Sequence, residues 1–198
     1  MPMTFIRAFI AISLSEEVCH GLDQVLEELK SRIPGTLVRW VPARNIHLTL
    51  KFLGDVSSSN LEILKKVLHG EAGKHNPMQF SVGGIGAFPS IRRPRVIWIG
   101  VQAPQELQTL QRGIELETTR LGYAQEERDF SPHLTLGRVS RNISGDEVRH
   151  LSDLLSDFQV GSLGVVRVDE VHLYRSDLTP AGAIYTRLFT ARLASEIR

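Results

Sequence analysis

Apolar and polar residues alternate along some segments of the chain and follow a helical period along others. In the segment 7–14 every even position is apolar, and this alternation predicts a strand. Ser15 and the two glutamates after it open a helical pattern, which ends at Pro34-Gly35. The same criteria predict further strands at 38–41, 46–53, 78–82, 95–101, 130–139, 164–174 and 183–193, and further helices at 61–68, 105–121 and 145–155.

These predicted elements follow a similar order in the two halves of the chain. Strands alternate with helices throughout, which is typical of an α/β or α+β sheet protein. The halves also share a short motif, described below, and this indicates an internal duplication. The chain has no low-complexity segment and no long linker, so we expect a single domain over residues 1–198, built from two lobes.

Composition excludes several classes of protein. Of the 198 residues 42% are hydrophobic and 23% charged, as in a globular protein rather than a disordered one. A net charge of +1 excludes a broad basic surface, so contact with RNA should be local. The single cysteine, Cys19, excludes an internal disulfide. The apolar run 8–14 is too short to span a membrane and has no basic leader or cleavage site, so we expect a cytoplasmic protein.

The shared motif is His-Leu-Thr-Leu, found at 47–50 and again at 133–136. A lone histidine or threonine in a strand is ordinarily structural. Two copies with the same leucines, each in a strand pattern, are hard to attribute to chance. Because alternate residues of a strand share a face, each histidine and threonine would point one way and the leucines toward the core. A pseudo-two-fold axis would then bring His47, Thr49, His133 and Thr135 into one cleft.

This quartet suits the hydrolysis of a phosphodiester. Imidazole has a reference pKa of ~6.5, so near neutral pH one ring can take a proton from water while another donates one to a leaving oxygen. The threonine hydroxyls can donate hydrogen bonds to the non-bridging phosphate oxygens. The quartet contains no carboxylate or thiolate, and we therefore predict that it uses no metal and no other cofactor.

Five segments carry a likeness to a known family: 7–12, 38–54, 88–98, 130–138 and 171–176. In them the chain resembles the two-histidine phosphoesterase superfamily, and within it the RNA 2′,3′-cyclic phosphodiesterases, historically called the 2′-5′ RNA ligase family. The resemblance implies an α+β, bilobal, pseudo-two-fold fold with a central cleft. It implies RNA 3′ ends or nucleotides with a 2′,3′-cyclic phosphate as substrates, and 2′-phosphomonoesters as products. It also implies His47 as proton donor and His133 as proton acceptor.

Other residues are weaker candidates. Arg138 follows the second motif and would bind phosphate, but its strand parity is opposite to that of His133. It reaches the cleft only if the strand ends or bulges there, and a solvated arginine is the alternative. Phe9 is a candidate for stacking on a base, but a place in the core is the favoured interpretation. We interpret His172 as structural and the glycine-rich segment 83–86 as a turn or bulge.

Two other functions use the same cleft. One is a module that binds a nucleotide or an RNA end without turnover, although binding alone would not need two titrating rings. The other is the reverse reaction, which joins RNA ends through a 2′-5′ linkage and is disfavoured in dilute water. We expect the enzyme to act as a monomer.

Overall fold

The computed structural model describes residues 5–180 and 182–194. These residues form nine strands and four α-helices. In chain order the elements are β1 (Phe5–Ile12), α1 (Glu16–Arg32), β2 (Val38–Trp40), β3 (Leu48–Ser57), α2 (Leu61–Ala72), β4 (Met78–Ser90), β5 (Arg93–Gln102), α3 (Gln105–Arg120), β6 (His133–Val139), α4 (Gly145–Asp157), β7 (Ser162–Val168), β8 (Glu170–Thr179) and β9 (Gly182–Arg192).

Serine caps and apolar spacing explain why two of the predicted helices begin where they do. The side chain of Ser15 accepts a hydrogen bond from the backbone N–H of Val18, in the first turn of α1. Ser144 and Glu147 form a reciprocal capping box at the start of α4. All four predicted helices are present, and each buries an apolar stripe against a sheet.

The strands form two antiparallel sheets. The four-stranded sheet has the order β3-β1-β8-β9, and the five-stranded sheet has the order β2-β6-β5-β4-β7. Helices α2 and α3 pack on the four-stranded sheet, while α1 and α4 pack on the five-stranded one. Each sheet takes strands from both halves of the sequence. The predicted α+β, two-lobed duplicated fold is therefore confirmed, but neither lobe is made from one half of the chain alone.

One predicted strand is wrong. The segment 164–174 was expected to be continuous, but it divides at Asp169 into β7 and β8, which belong to different sheets. The burial pattern shows the reason, because Val166 and Val168 are buried in one sheet whereas Val171 and Leu173 are buried in the other. The buried apolar positions change from even to odd at the division, and a single straight strand cannot bury both sets on one face.

Bulges adjust which side chains share a face. In β6, Thr135 pairs with Trp98 and Gly137 pairs with Ile97, so Leu136 is the extra residue. The bulge places Arg138 on the same face as His133 and Thr135. The segment 83–86 lies inside β4 and also contains a bulge, at Gly84, whose φ of 72° favours glycine.

Candidate active site

The two histidines stand at equivalent ends of two strands. His47 immediately precedes β3, and His133 is the first residue of β6, so both lie nearer a strand end than the predicted strands 46–53 and 130–139 implied. Thr49 and Thr135 follow two residues later, and all four side chains are half-buried. The neighbouring leucines of both motifs are buried, as the alternation predicted: Leu48, Leu50, Leu134 and Leu136.

Both imidazoles are held in the same way. Nδ1 of His47 donates to the backbone oxygen of Asn45 at 2.8 Å, and Nδ1 of His133 donates to the backbone oxygen of Ser131 at 2.7 Å. A carbonyl oxygen only accepts hydrogen bonds, so in each ring Nδ1 carries the hydrogen. Each Nε2 is then the nitrogen that can accept or release a proton in the reaction. The two copies of the repeated motif therefore have the same local hydrogen bonding.

Aromatic rings enclose His47. Its ring stacks on Phe9 at 4.6 Å between centroids and meets Tyr185 edge-on at 5.3 Å. Tyr174 stacks on Phe9 at 5.2 Å, and its hydroxyl is 2.8 Å from Oγ of Ser13. Phe9 is only 3% exposed and lies between two rings. Both faces of the Phe9 ring are covered, which leaves none for a base, and the favoured core position agrees with this packing: Phe9 supports His47.

The surroundings of His133 are different. Phe88 meets its ring edge-on at 4.9 Å, and Trp98 packs against Phe88 at 5.2 Å. Trp98 is also the cross-strand partner of Thr135, so these aromatic residues line the same face of the five-stranded sheet as the second motif. No stacked ring covers His133 as Phe9 covers His47 among the described residues. The two imidazoles therefore share their hydrogen bonding but not their packing.

Packing makes His47 a weak base when no anion is near. Burial lowers the pKa of His47 to about 4, and the hydrogen bond to the oxygen of Asn45 opposes this only in part. A phosphate anion beside the ring would act in the opposite direction, because a negative charge favours the protonated form. The charge of His47 is thereby coupled to the binding of an anion.

Two further residues, Tyr185 and Arg39, were not predicted from the sequence. Burial raises the pKa of Tyr185, while the positive charges of Arg138 and Arg39 lower it. Tyr185 comes from β9 of the four-stranded sheet, whereas both arginines belong to the five-stranded sheet. The bulge in β6 turns Arg138 to the same face as His133 and Thr135. Arg39 alternates with the buried Val38 along the strand. This alternation was the signal in the sequence that the Arg39 side chain faces away from the core.

A buried ion pair fixes the strand that carries Thr49. Lys51 is 4% exposed, and its Nζ lies 2.5 Å from Oε1 of Glu115 in α3 and 2.5 Å from the backbone oxygen of Ala124. The same carboxylate oxygen accepts the backbone N–H of Glu126. Removing one partner of such a buried pair strongly destabilises a fold, because the other charge is left uncompensated. Lys51 therefore holds β3 to helix α3 and to the segment that follows it.

Acid should destabilise the protein through His172 as well as His47. Burial and the charge of Arg187 lower the pKa of His172 to about 4, although Glu170 raises it. The unfolded histidine has a pKa of ~6.5 and binds a proton first as pH falls, so stability present above pH 6.5 is lost toward pH 4. We expect His172 to account for a loss of ~2–3 kcal/mol at pH 4.5.

Urea unfolding of wild type and His172→Gln at pH 7 and pH 4.5 measures this loss. Glutamine keeps a hydrogen-bonding group near Oγ1 of Thr190, which contacts Nδ1 of His172 at 3.0 Å. The variant should lose less stability between the two pH values than wild type. His20→Gln, at an exposed site on α1, is the matched control. Equal losses in wild type and His172→Gln would show that His172 is not responsible.

Within the described part of the chain, no group of three or more histidine, cysteine, aspartate or glutamate residues is arranged to hold a metal ion. No helix in residues 5–180 and 182–194 is both long and apolar enough to cross a bilayer.

The sequence model of one family, LigT-like phosphoesterase, matches the chain twice, over residues 12–98 and 99–185. The chain belongs to the LigT-like phosphoesterase family. Each matched range contains one His-Leu-Thr-Leu motif, so the repeat seen in the sequence coincides with the family's own repeat. The resemblance to the two-histidine phosphoesterases is confirmed.

Several relatives of this phosphoesterase match it over nearly their whole length. It is 39% identical over 188 residues to an RNA 2′,3′-cyclic phosphodiesterase of Methanothermobacter thermautotrophicus, covering 95% of this chain and 99% of that protein. Its fold is similar to TT0787 of Thermus thermophilus, with a TM-score of 0.79, 26% identity and coverage of 96% and 100% of the two chains. E. coli LigT complexed with 3′-AMP gives a TM-score of 0.72, 27% identity and coverage of 97% and 100%.

Proposed function

We propose that this phosphoesterase hydrolyses 2′,3′-cyclic phosphates at RNA 3′ ends to 2′-phosphomonoesters. The observation that carries the proposal is the matched pair of imidazoles, each with Nδ1 bonded to a backbone oxygen and Nε2 left to transfer protons. Thr49 and Thr135 stand two residues beyond the histidines on the same strand faces. Relatives of the chain are named RNA 2′,3′-cyclic phosphodiesterases, which supports a cyclic phosphate as the diester that is hydrolysed.

The proposed reaction is a single in-line displacement. Nε2 of His133 takes a proton from water, and the water oxygen forms a bond to phosphorus. The bond between phosphorus and the 3′-oxygen breaks, and His47 gives its Nε2 proton to that oxygen. Thr49 and Thr135 donate hydrogen bonds to the two non-bridging oxygens, which carry the developing charge. His133 gains one proton and His47 loses one in this step. Before the next turnover His133 must therefore release a proton to solvent and His47 must take one up.

His47 can act as the proton donor only if the bound substrate raises its pKa. Burial lowers the pKa of His47 to about 4, and a donor must be protonated at the pH of the reaction. The phosphate anion supplies the opposing effect by favouring the charged ring. The lowered pKa also supports a second candidate, in which His47 is the acceptor and His133 the donor. Family resemblance favours the first assignment, and the position of the product phosphate distinguishes the two.

Turnover separates this function from the two alternatives. A binding module would hold the cyclic phosphate without opening it, and an end-joining enzyme would consume RNA ends bearing a 5′-hydroxyl. The relatives are named as phosphodiesterases, which supports hydrolysis. The four proposed catalytic residues all come from one chain. We therefore extend the proposal to a single bilobal unit over residues 1–198 that acts as a monomer in the cytoplasm, and light scattering tests the mass.

Incubation with a short RNA ending in a 2′,3′-cyclic phosphate, with and without EDTA, tests the proposal. We expect hydrolysis at equal rates in both samples, because neither the imidazole pair nor the hydroxyl pair needs a metal to move protons or bind phosphate. Chromatography of the products against authentic standards measures the rate. An RNA with a 3′-hydroxyl end is the control substrate. Loss of activity in EDTA, restored by one divalent ion, would contradict the metal-free mechanism.

A further inference from the structure

Two arginines face each other across neighbouring strands beside the catalytic motif. Arg39 of β2 and Arg138 of β6 are direct cross-strand partners, and both side chains are exposed. Like charges directly opposite each other in a sheet repel and destabilise the pairing. Neither guanidinium group forms a hydrogen bond or salt bridge with another described residue. Other exposed arginines, such as Arg92 and Arg95, are also unpaired, but Arg39 and Arg138 differ from these in facing each other directly across two strands. The pair therefore carries two charges that no described protein group neutralises.

The position of the pair relates it to the reaction. The bulge at Leu136 puts Arg138 on the same face as Thr135 and His133, and Arg39 lies on that face as well because it pairs directly with Arg138. The β5 partners of Thr135 and Arg138, which are Trp98 and Val96, are two residues apart. The backbone at Arg138 is thus offset by about 7 Å along the sheet from that at Thr135. The arginine pair therefore stands beside Thr135 on its own face, which suits a neighbouring phosphate of the same strand.

We propose that Arg39 and Arg138 form a second phosphate subsite, which binds the phosphate on the 5′ side of the terminal nucleotide. The inference rests on the function proposed above and adds to it a preference for RNA ends over free nucleosides. When Thr49 and Thr135 hold the cyclic phosphate, the next phosphate along the strand meets the two guanidinium groups. Guanidinium groups bind phosphate oxygens through charge-assisted, often bidentate hydrogen bonds. A phosphate anion bound at this subsite also offsets the repulsion between the two arginines.

Contact between the arginines and the cyclic phosphate itself is the competing interpretation, and substrates that differ by one group separate the two. Adenosine 2′,3′-cyclic phosphate lacks a 5′-phosphate, and its 5′-phosphorylated form has one. In the wild-type enzyme the added phosphate should raise kcat/KM. In Arg39→Ala the ratio of the two kcat/KM values should fall by ~10-fold, because a charge-assisted phosphate contact is lost. Arg39→Lys should restore part of the ratio.

Arg167→Ala is the matched control. Arg167 is an exposed arginine of β7, at the far edge of the same sheet, and its Nε is 2.9 Å from Oδ1 of Asp169. Its replacement should leave both kcat/KM values at the wild-type level. The salt dependence adds a second readout, since kcat/KM for the 5′-phosphorylated substrate should fall less steeply with salt in Arg39→Ala than in wild type, because one screened charge contact is gone.

The outcomes distinguish this inference from the proposed function. A ratio that stays at the wild-type value in Arg39→Ala would overturn the second subsite, whether or not both rates fall, and would leave cyclic phosphate hydrolysis intact. An equal loss on both substrates would assign Arg39 to the cyclic phosphate instead. Absence of turnover by wild type on both substrates and on a cyclic-phosphate RNA would overturn the proposed function, and the subsite with it.

Discussion

Replacing either His47 or His133 by alanine is expected to lower kcat/KM for a cyclic-phosphate RNA by ~10²–10⁴-fold, the usual effect of losing a general acid or base. The two losses should be similar, because one imidazole must release a proton and the other accept one in the same displacement. The double variant should be little slower than either single variant, since groups that act together do not contribute additively. Steady-state kinetics of the purified variants measure these effects.

The surroundings of His47 require a second variant at that position. His47 packs against Phe9 and Tyr185, so alanine leaves a cavity that lowers stability as well as activity. His47→Asn retains an N–H for the oxygen of Asn45 but has no titrating nitrogen, and it should lose as much activity as the alanine variant. Circular dichroism checks folding, and His20→Ala on the surface of α1 is the control. Near-wild-type turnover in a folded His47 or His133 variant would exclude the two-histidine mechanism.

The product is expected to carry its phosphate on the 2′-oxygen almost exclusively. In-line attack needs the water and the leaving oxygen on opposite sides of phosphorus, so each side meets one histidine. With His47 beside the 3′-oxygen, the 3′ bond breaks and the 2′ bond remains. Phosphorus NMR of the product, or its separation from authentic 2′- and 3′-nucleotides, measures the outcome.

Two controls make the product assignment secure. Alkaline hydrolysis of the same cyclic phosphate opens either bond and provides both isomers as standards. Turnover in H₂¹⁸O should place the isotope in the phosphate group, because water oxygen attacks phosphorus. A predominantly 3′-phosphate product would reverse the orientation of the substrate in the cleft. It would also favour the second candidate, in which His47 accepts the proton, in agreement with its lowered pKa.

The candidate quartet of His47, Thr49, His133 and Thr135 could be proposed from the sequence because its signal is local and repeated. The spacing of histidine and threonine places both on one face of a strand, and the leucines between them identify the buried face. Arg138 shows the limit of that reasoning. In an ideal strand the Arg138 side chain would lie on the face opposite to that of His133. Only the pairing of β6 with β5 reveals the bulge that places Arg138 on the same face as His133.

The packing around His47 could not be predicted in the same way. Phe9, Tyr174 and Tyr185 come from β1, β8 and β9; β1 is far from the other two in the chain but lies beside β8 in the four-stranded sheet. The core position of Phe9 was favoured from the sequence, but its contact with His47 was not predicted, because the pattern of one strand does not identify its neighbours. Arg39 was missed because its significance depends on the strand that lies beside it.

The sequence by itself determined the helices, most of the strands, the duplication and the two repeated motifs that supply the candidate catalytic residues. These features follow from side-chain periodicity, capping and motif repetition, which act over a few residues or a turn of helix. Only the tertiary structure decided that 164–174 divides between two sheets and that each lobe takes strands from both halves. It also decided that His47 packs against Phe9 and that Arg39 pairs with Arg138. The reason is that strand pairing and burial depend on contacts between distant segments, and a strand's own sequence does not specify its neighbour.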